Sequence, residues 1–97
     1  DPPAGAAPVL LAPRPNPFTA RTAIRYAAAR SGRVEIAVFD LLGRRQRALL
    51  DAEVPAGEHE IVWDGRDDAG APVPAGVYLC RVKSDDIVRT NRMVLVR

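Results

Sequence analysis

The chain has 97 residues, of which 47% are apolar and 27% are charged, and its formal net charge is +2. This length and composition predict one globular domain and exclude a largely disordered chain. The sequence has no apolar run approaching the ~20 residues that a membrane-spanning helix needs. It also lacks the basic start and apolar segment of a signal peptide, so we expect neither feature.

The first part of the chain is rich in proline, which predicts an extended arm. Six of the nine prolines lie within residues 1–17, and proline fixes φ and removes a backbone donor. One short apolar segment in this stretch suits the edge of a sheet, namely Val9, Leu10 and Leu11. We therefore predict a Pro/Ala-rich N-terminal arm or first edge strand over 1–14 and a folded domain over 15–97.

The rest of the chain alternates apolar and polar residues between turns that contain glycine or proline. Such a period of two is typical of half-buried strands. It predicts strands over 22–27, 33–40, 45–54, 58–64, 77–83 and 87–96, with a tight turn at 84–86. With the N-terminal edge strand this makes about seven antiparallel strands, and no helical pattern exceeds one turn. The prediction is an all-β domain built as a single β-sandwich.

The apolar side of the predicted strands provides a candidate core. Its members are Phe18, Ile24, Tyr26, Val34, Ile36, Val38, Trp63, Tyr78 and Val82. Trp63 is the largest, so we expect it at the centre, with its indole N–H donating to a carbonyl. Four turn glycines are expected where φ is positive or the backbone approaches closely, namely Gly43, Gly65, Gly70 and Gly76.

Five motifs follow one another along the chain. They are Pro15-Asn16-Pro17-Phe18 with Thr22-Ala23-Ile24-Arg25-Tyr26, then Val38-Phe39-Asp40-Leu41-Leu42-Gly43-Arg44, Trp63-Asp64-Gly65-Arg66-Asp67-Asp68-Ala69-Gly70, and Ala75-Gly76-Val77-Tyr78-Leu79. In this order they closely resemble the C-terminal sorting domain of type IX secretion cargo. They equally resemble the immunoglobulin-like domain related to that of the flagellar hook-capping protein. The resemblance covers about 15–97 and implies a seven-stranded immunoglobulin-like sandwich.

The resemblance also implies a function. In that family the domain is not an enzyme: it directs export and surface attachment, or serves as a structural module, at the C-terminus of secreted or cell-surface bacterial proteins. The implied partners are proteins, either secretion and anchoring machinery or copies of the chain itself.

A second class of function is a self-assembling subunit of an extracellular filament or oligomer. An apolar strand on a stiff proline arm suits addition to the sheet edge of a neighbouring subunit, and a head-to-tail contact that does not close builds a filament. The alternative place for Val9, Leu10 and Leu11 is the edge of their own sandwich.

Candidate metal and catalytic groups are few. Asp64, Asp67 and Asp68 are possible Ca²⁺ ligands, but Arg66 occupies the position of a ligand and no later Glu follows, so we expect them to cap turns. A glycosidase would need a carboxylate pair in environments that separate their pKa values. The candidate acids lie on separate strands and turns without an aromatic sugar platform, and they are Asp40, Asp51, Glu53, Glu58 and Glu60.

The cysteine, the histidine and the basic residues argue against further classes of functional site. Cys80 is the only cysteine, so it cannot form an intrachain disulfide, and it lies in an alternating strand where we expect a core role. His59 has no second His or Cys at the spacing of a zinc site. The dense basic run at 44–47 lacks interleaved aromatics, which argues against a nucleic-acid partner. We therefore expect no catalysis, no cofactor and no small-molecule substrate.

Overall fold

The computed structural model describes residues 9–84 and 87–97, and it places seven strands in two sheets. The strands are β1 (Val9–Leu10), β2 (Thr22–Ala28), β3 (Gly32–Asp40), β4 (Arg45–Val54), β5 (Gly57–Trp63), β6 (Gly76–Ser84) and β7 (Ile87–Leu95). One sheet has the order β1-β2-β5 and the other the order β4-β3-β6-β7. Neighbouring strands pair antiparallel. The predicted all-β sandwich is confirmed.

Two predicted features fall outside the described residues. These are the first eight residues of the N-terminal arm and the centre of the turn between β6 and β7, residues 85 and 86. No helix occurs in 9–84 or 87–97.

The core lies between the sheets and is centred on Trp63. All nine predicted core residues are buried, and the structure adds Ala28, Val73, Cys80, Met93 and Leu95. The Trp63 ring meets Phe18 and Tyr78 edge to face, with centroid distances of 5.5 and 5.3 Å. Its indole Nε1 donates to the carbonyl of Arg66 at 2.9 Å, so the polar group of this buried ring has a partner.

The N-terminal strand belongs to its own sandwich. Leu10 pairs with Tyr26 in β2, and the backbone N–H of Leu11 donates to the carbonyl of Arg25 at 2.9 Å. The Asn91 side chain donates to the Leu11 carbonyl at 3.1 Å and so ties this segment to β7 in the other sheet. In this structure the segment thus takes the edge of its own sandwich, one of the two places predicted for Val9, Leu10 and Leu11. β1 is then the first edge strand that was predicted as one alternative for 1–14.

The outer edge of β7 is covered by the segment that precedes β2. The Asn16 side chain donates to the carbonyl of Arg92 at 3.0 Å and accepts from the N–H of Val94 at 2.9 Å. Phe18 then donates its N–H to the Val94 carbonyl at 2.9 Å and accepts from the N–H of Val96 at 2.8 Å. An exposed strand edge is a template for pairing with another chain, and these bonds occupy the C-terminal part of that template on β7.

The outer edge of β4 is covered in part by Asp68. Its backbone N–H donates to the carbonyl of Gln46 at 2.9 Å, and its carboxylate accepts from the N–H of Ala48 at 2.8 Å. Arg45 lies 3.4 Å from the other carboxylate oxygen. Asp68 thus takes the place that a neighbouring strand would occupy on this stretch of β4.

Candidate interaction surfaces

The acidic loop after β5 is a set of capped turns. Asp67 Oδ1 accepts from the N–H groups of Ala69 and Ala71, each at 3.0 Å. Asp64 Oδ1 accepts from the N–H of Arg66 and from the guanidinium of Arg47, each at 3.2 Å.

The three candidate Ca²⁺ ligands are all engaged by hydrogen bonds within the chain. The carboxylate of Asp68 faces β4, whereas those of Asp64 and Asp67 are held by their own turns. Within 9–84 and 87–97, no group of three or more His, Cys, Asp or Glu is placed to hold a metal ion. The three candidate carboxylates point to separate partners, whereas Ca²⁺ takes about six to eight converging oxygen ligands.

The turn glycines sit where the backbone needs them. Each has positive φ: Gly43 at 82°, Gly65 at 72°, Gly70 at 85° and Gly76 at 156°. A fifth, Gly57 at 120°, had not been singled out in the sequence. At Gly65 an added Cβ would lie 3.4 Å from the guanidinium of Arg97, an ordinary contact distance, so the positive φ is what restricts this position. The guanidinium donates to the carbonyls of Gly65 and Val73 at 3.3 and 3.1 Å, so Arg97, which follows β7, holds the loop after β5.

The hairpin between β3 and β4 exposes two consecutive leucines. Leu41 is 64% exposed and Leu42 is 79% exposed. Asp40 holds the turn rigid, because its Oδ1 accepts from the N–H groups of Leu42 and Arg44, each at 2.9 Å, and its Oδ2 accepts from Arg44 Nε at 2.7 Å. We call Leu41 and Leu42 on this hairpin the leucine tip. It is apolar surface that the domain leaves uncovered.

The Asp40 carboxylate gives the tip a pH dependence. The N–H of Arg44, followed by the Arg44 guanidinium and the N–H of Leu42, holds the pKa of Asp40 below its usual value despite some burial of the carboxyl. A lowered folded-state pKa stabilises the fold above the unfolded pKa, and this stabilisation is lost as pH falls through the folded value. We expect Asp40→Asn to lower the thermal unfolding temperature at pH 7 but to match the wild type well below pH ~4. Melting curves across pH test this, and a constant difference down to the lowest pH would contradict it.

The outer face of the four-stranded sheet combines apolar and basic side chains. Phe39, Val77, Leu79 and Val94 are each half-buried on it. In the cross-strand register Phe39 lies between Arg45 on β4 and Leu79 on β6, and Leu79 lies beside Arg92 on β7. Arg81 stacks on the Phe39 ring, 4.3 Å from its centroid. We call this surface the basic face.

The outer face of the three-stranded sheet has the opposite charge. Glu58 and Glu60 on β5 point to it together with Val62, which is 46% exposed. Arg25 of β2 lies opposite Glu60 in the register, and its guanidinium is 3.9 Å from the Glu58 carboxylate. We call this surface the acidic face.

The remaining candidate acids are distributed over both sheets and the β3–β4 hairpin. Asp51 is bound to Arg33 at 2.6 Å on the outer side of β4, and Glu53 lies on the same strand. Asp40 is in the β3–β4 hairpin, and the two acids of β5 are on the other sheet.

Cys80 and His59 lie in different sheets. Cys80 is fully buried on β6, and burial raises the pKa of its thiol to about 12. His59 on β5 is half-buried against the Tyr26 ring at 5.4 Å and makes a hydrogen bond of 2.7 Å to the carbonyl of Pro55. The histidine is therefore not in a position to activate the thiol.

The buried thiol reports on opening of the sandwich. Because Cys80 is the only cysteine and is both protonated and inaccessible, we expect an aromatic disulfide reagent at pH 8 to react about 1,000-fold more slowly with the native chain than with the unfolded chain. Absorbance kinetics with and without denaturant measure the ratio. A reaction rate of the native chain within about tenfold of the rate of the unfolded chain would contradict the packing of β6.

Asn16 and Asp40 lie in the family motifs, but the contacts that they and Arg97 make were not predicted from the sequence. Asn16, Asp40 and Arg97 hold the edge of β7, the leucine tip and the acidic loop. The proline residues on both sides of Asn16 were a signal of a fixed conformation, but its partners lie about 80 residues away. Only the folded chain brings them together.

The same architecture occurs in known proteins. The model of the FlgD Ig-like domain family matches residues 18–86. Dimeric latent PorU from Porphyromonas gingivalis has a similar fold, with a TM-score of 0.70 and 22% identity, covering 96% of this chain and 10% of that one. PorZ, an essential bacterial surface component of the type-IX secretion system of the same organism, gives a TM-score of 0.55 and 21% identity, covering 91% and 11%.

These matches confirm the resemblance drawn from the five motifs and the immunoglobulin-like fold. At 21–22% identity the two structures show a shared fold, and this chain spans about a tenth of the length of each. The comparison with curated proteins gave no match. None of the described residues forms a helix long and apolar enough to cross a bilayer.

Proposed function

We propose that this chain, which belongs to the FlgD Ig-like domain family, is a non-catalytic structural module of a bacterial protein that is secreted or displayed at the cell surface. Its role in this proposal is that of a C-terminal sorting or anchoring domain. The fold shared with PorU and with PorZ, a surface component of the type-IX secretion system, supports this assignment.

The observation that carries the proposal is the leucine tip. Leu41 and Leu42 are exposed on a turn whose backbone is fixed by Asp40 and by the positive φ of Gly43. A preorganised apolar protrusion loses little conformational freedom when it is bound. It therefore suits insertion into a pocket of a protein partner, which is what a folded sorting signal requires.

A passenger fusion tests the sorting role. Residues 1–97 are placed after an epitope-tagged passenger with an export signal in P. gingivalis, and protease accessibility on intact cells measures how much passenger reaches the surface. We expect surface delivery in cells with a working type-IX system and retention in cells that lack PorZ. Equal retention in both strains would contradict the proposal.

Substitutions separate recognition from folding. Leu41→Ser combined with Leu42→Ser leaves the core intact, and we expect it to reduce surface delivery about tenfold while the unfolding temperature changes little. The matched control is Val88→Ser, which removes an exposed apolar side chain on β7 that is 43% exposed. Delivery unchanged by the double substitution would remove the leucine tip from the proposal.

A further inference from the structure

Parts of the strand edges of this sandwich are already covered, which favours contacts between two copies through the sheet faces. Asn16 and Phe18 occupy the C-terminal part of the outer edge of β7, and Asp68 occupies part of the outer edge of β4. The outer edge of β5 carries Glu58 and Glu60, and charged residues oppose edge-to-edge pairing. Strand addition is therefore disfavoured at these three edges, whereas both outer faces are open.

The acids that share the outer face with the basic residues, Glu35 and Asp51, pair with cations other than Arg81 and Arg92. Among the described residues, neither Arg81 nor Arg92 makes an ion pair. Both flank the half-buried stripe of Phe39 and Leu79, and Arg81 is held in place by stacking on the Phe39 ring. An apolar centre with an arginine rim has the composition of a protein interface.

The acidic face has the complementary pattern. Within the described part of the chain Glu60 makes no ion pair, and the contact of Glu58 with Arg25 is long at 3.9 Å. Val62 lies beside these acids as an exposed apolar side chain. Both surfaces are outer faces of β-sheets, so they can stack face to face as sheets do inside a sandwich.

We propose that copies of this chain associate head to tail, with the basic face of one copy packed on the acidic face of the next. The contact uses two different surfaces, so it is heterologous, and each copy keeps one face free for a further copy. Phe39, Leu79 and Val62 supply apolar contact area, and the pairing of Arg81 and Arg92 with Glu58 and Glu60 sets the orientation. This inference goes beyond the sorting role, because it concerns the purified chain without any secretion machinery.

Sedimentation of the purified chain is the first test. We expect the average mass to rise above the monomer mass of 10.5 kDa as the protein concentration increases from about 10 μM to about 1 mM. Raising the salt concentration from about 50 mM to about 500 mM should reverse most of the association, since exposed charges are screened. A monomer at every concentration in low salt would overturn the proposal.

A charge exchange between the faces is the decisive test. The variant Arg81→Glu with Arg92→Glu makes both faces acidic, and Glu58→Arg with Glu60→Arg makes both faces basic. We expect each variant alone to associate at least about tenfold more weakly than the wild type, because like charges meet. An equal mixture should associate again, since each reversed face then meets its complement.

Two controls keep the result interpretable. Arg21→Glu with Arg89→Glu changes the net charge by the same amount outside both faces, and it should reduce association much less. Thermal unfolding of all variants checks that the sandwich is intact, and Arg92→Glu alone avoids loss of the stacking on Phe39. Failure of the mixture to associate, with all variants folded, would overturn the head-to-tail arrangement.

Surface delivery of the passenger, which tests the sorting role, is a separate readout. It can succeed or fail independently of the association between copies.

Discussion

Trp63→Ala is expected to lower the free energy of unfolding by about 3–5 kcal/mol, enough to unfold much of the population of a small domain. The side chain is fully buried and meets Phe18, in the segment before β2, and Tyr78 on β6. Its removal leaves a cavity at the centre of the sandwich and removes one of the two hydrogen bonds to the Arg66 carbonyl, which hold the start of the acidic loop. Urea unfolding followed by circular dichroism measures the loss.

The neighbour Val62 provides the control for this change. It lies on the same strand but faces outward and is 46% exposed, so Val62→Ala should change the free energy of unfolding by less than about 0.5 kcal/mol. If Trp63→Ala costs less than about 1 kcal/mol, the register of β5 against β2, in which Trp63 lies opposite Thr22, would be wrong.

Deletion of residues 1–12 is expected to cost about 2–4 kcal/mol without changing the oligomeric state in dilute, high-salt solution. The deletion removes β1, the packing of Leu10 against the core and the two hydrogen bonds of the Leu11 backbone. It also exposes the edge of β2. If this segment instead joined subunits, the wild type would be an assembly under these conditions and the deletion would convert it to a monomer.

Single substitutions separate the contributions of Leu10 and Leu11 to the stability lost in this deletion. Leu10→Ala should cost about 1–2 kcal/mol, because Leu10 packs against the core, whereas Leu11→Ala should cost less than about 0.5 kcal/mol, because that side chain is 36% exposed. Thermal unfolding of the two variants makes the comparison. Equal losses would contradict the placement of β1.

The residues of the family motifs mainly stabilise the fold of the domain. Asn16 from the first motif covers an edge strand, Asp40 from the third locks a hairpin, and Asp67 from the fourth caps two turns. Tyr78 from the last motif is buried, and its hydroxyl donates to the carbonyl of Pro74 four residues earlier. Burial, and to a smaller extent the charge of Asp40, raises the pKa of Tyr78, so it acts as a fixed donor rather than an acid.

This division explains why the motifs identify a family more readily than a mechanism. Their side chains hold the turns and cover the strand edges. Recognition of a partner is therefore left to exposed residues that do not make these contacts. The leucine tip combines both roles, since the motif residue Asp40 fixes the two leucines that face the solvent.

The sequence by itself determined the strands, the core and the turns, because these depend on local rules. Alternation marks which side of a strand is buried, and it placed Val34, Ile36 and Val38 in the core from their spacing alone. Glycine at Gly43 and Gly65 marked the backbone positions that need positive φ.

Only the tertiary structure decided where Val9, Leu10 and Leu11 pair, what covers the edges of β4 and β7, and which charges share a face. The pairing of a short apolar segment depends on which sheet edge is free, and this cannot be read from the segment itself. Arg81 and Arg92 form the basic face only because β6 and β7 are neighbours in the sheet, and Asn16 meets Val94 only after the chain has closed over the core. Such contacts join residues far apart in sequence, so local periodicity cannot predict them.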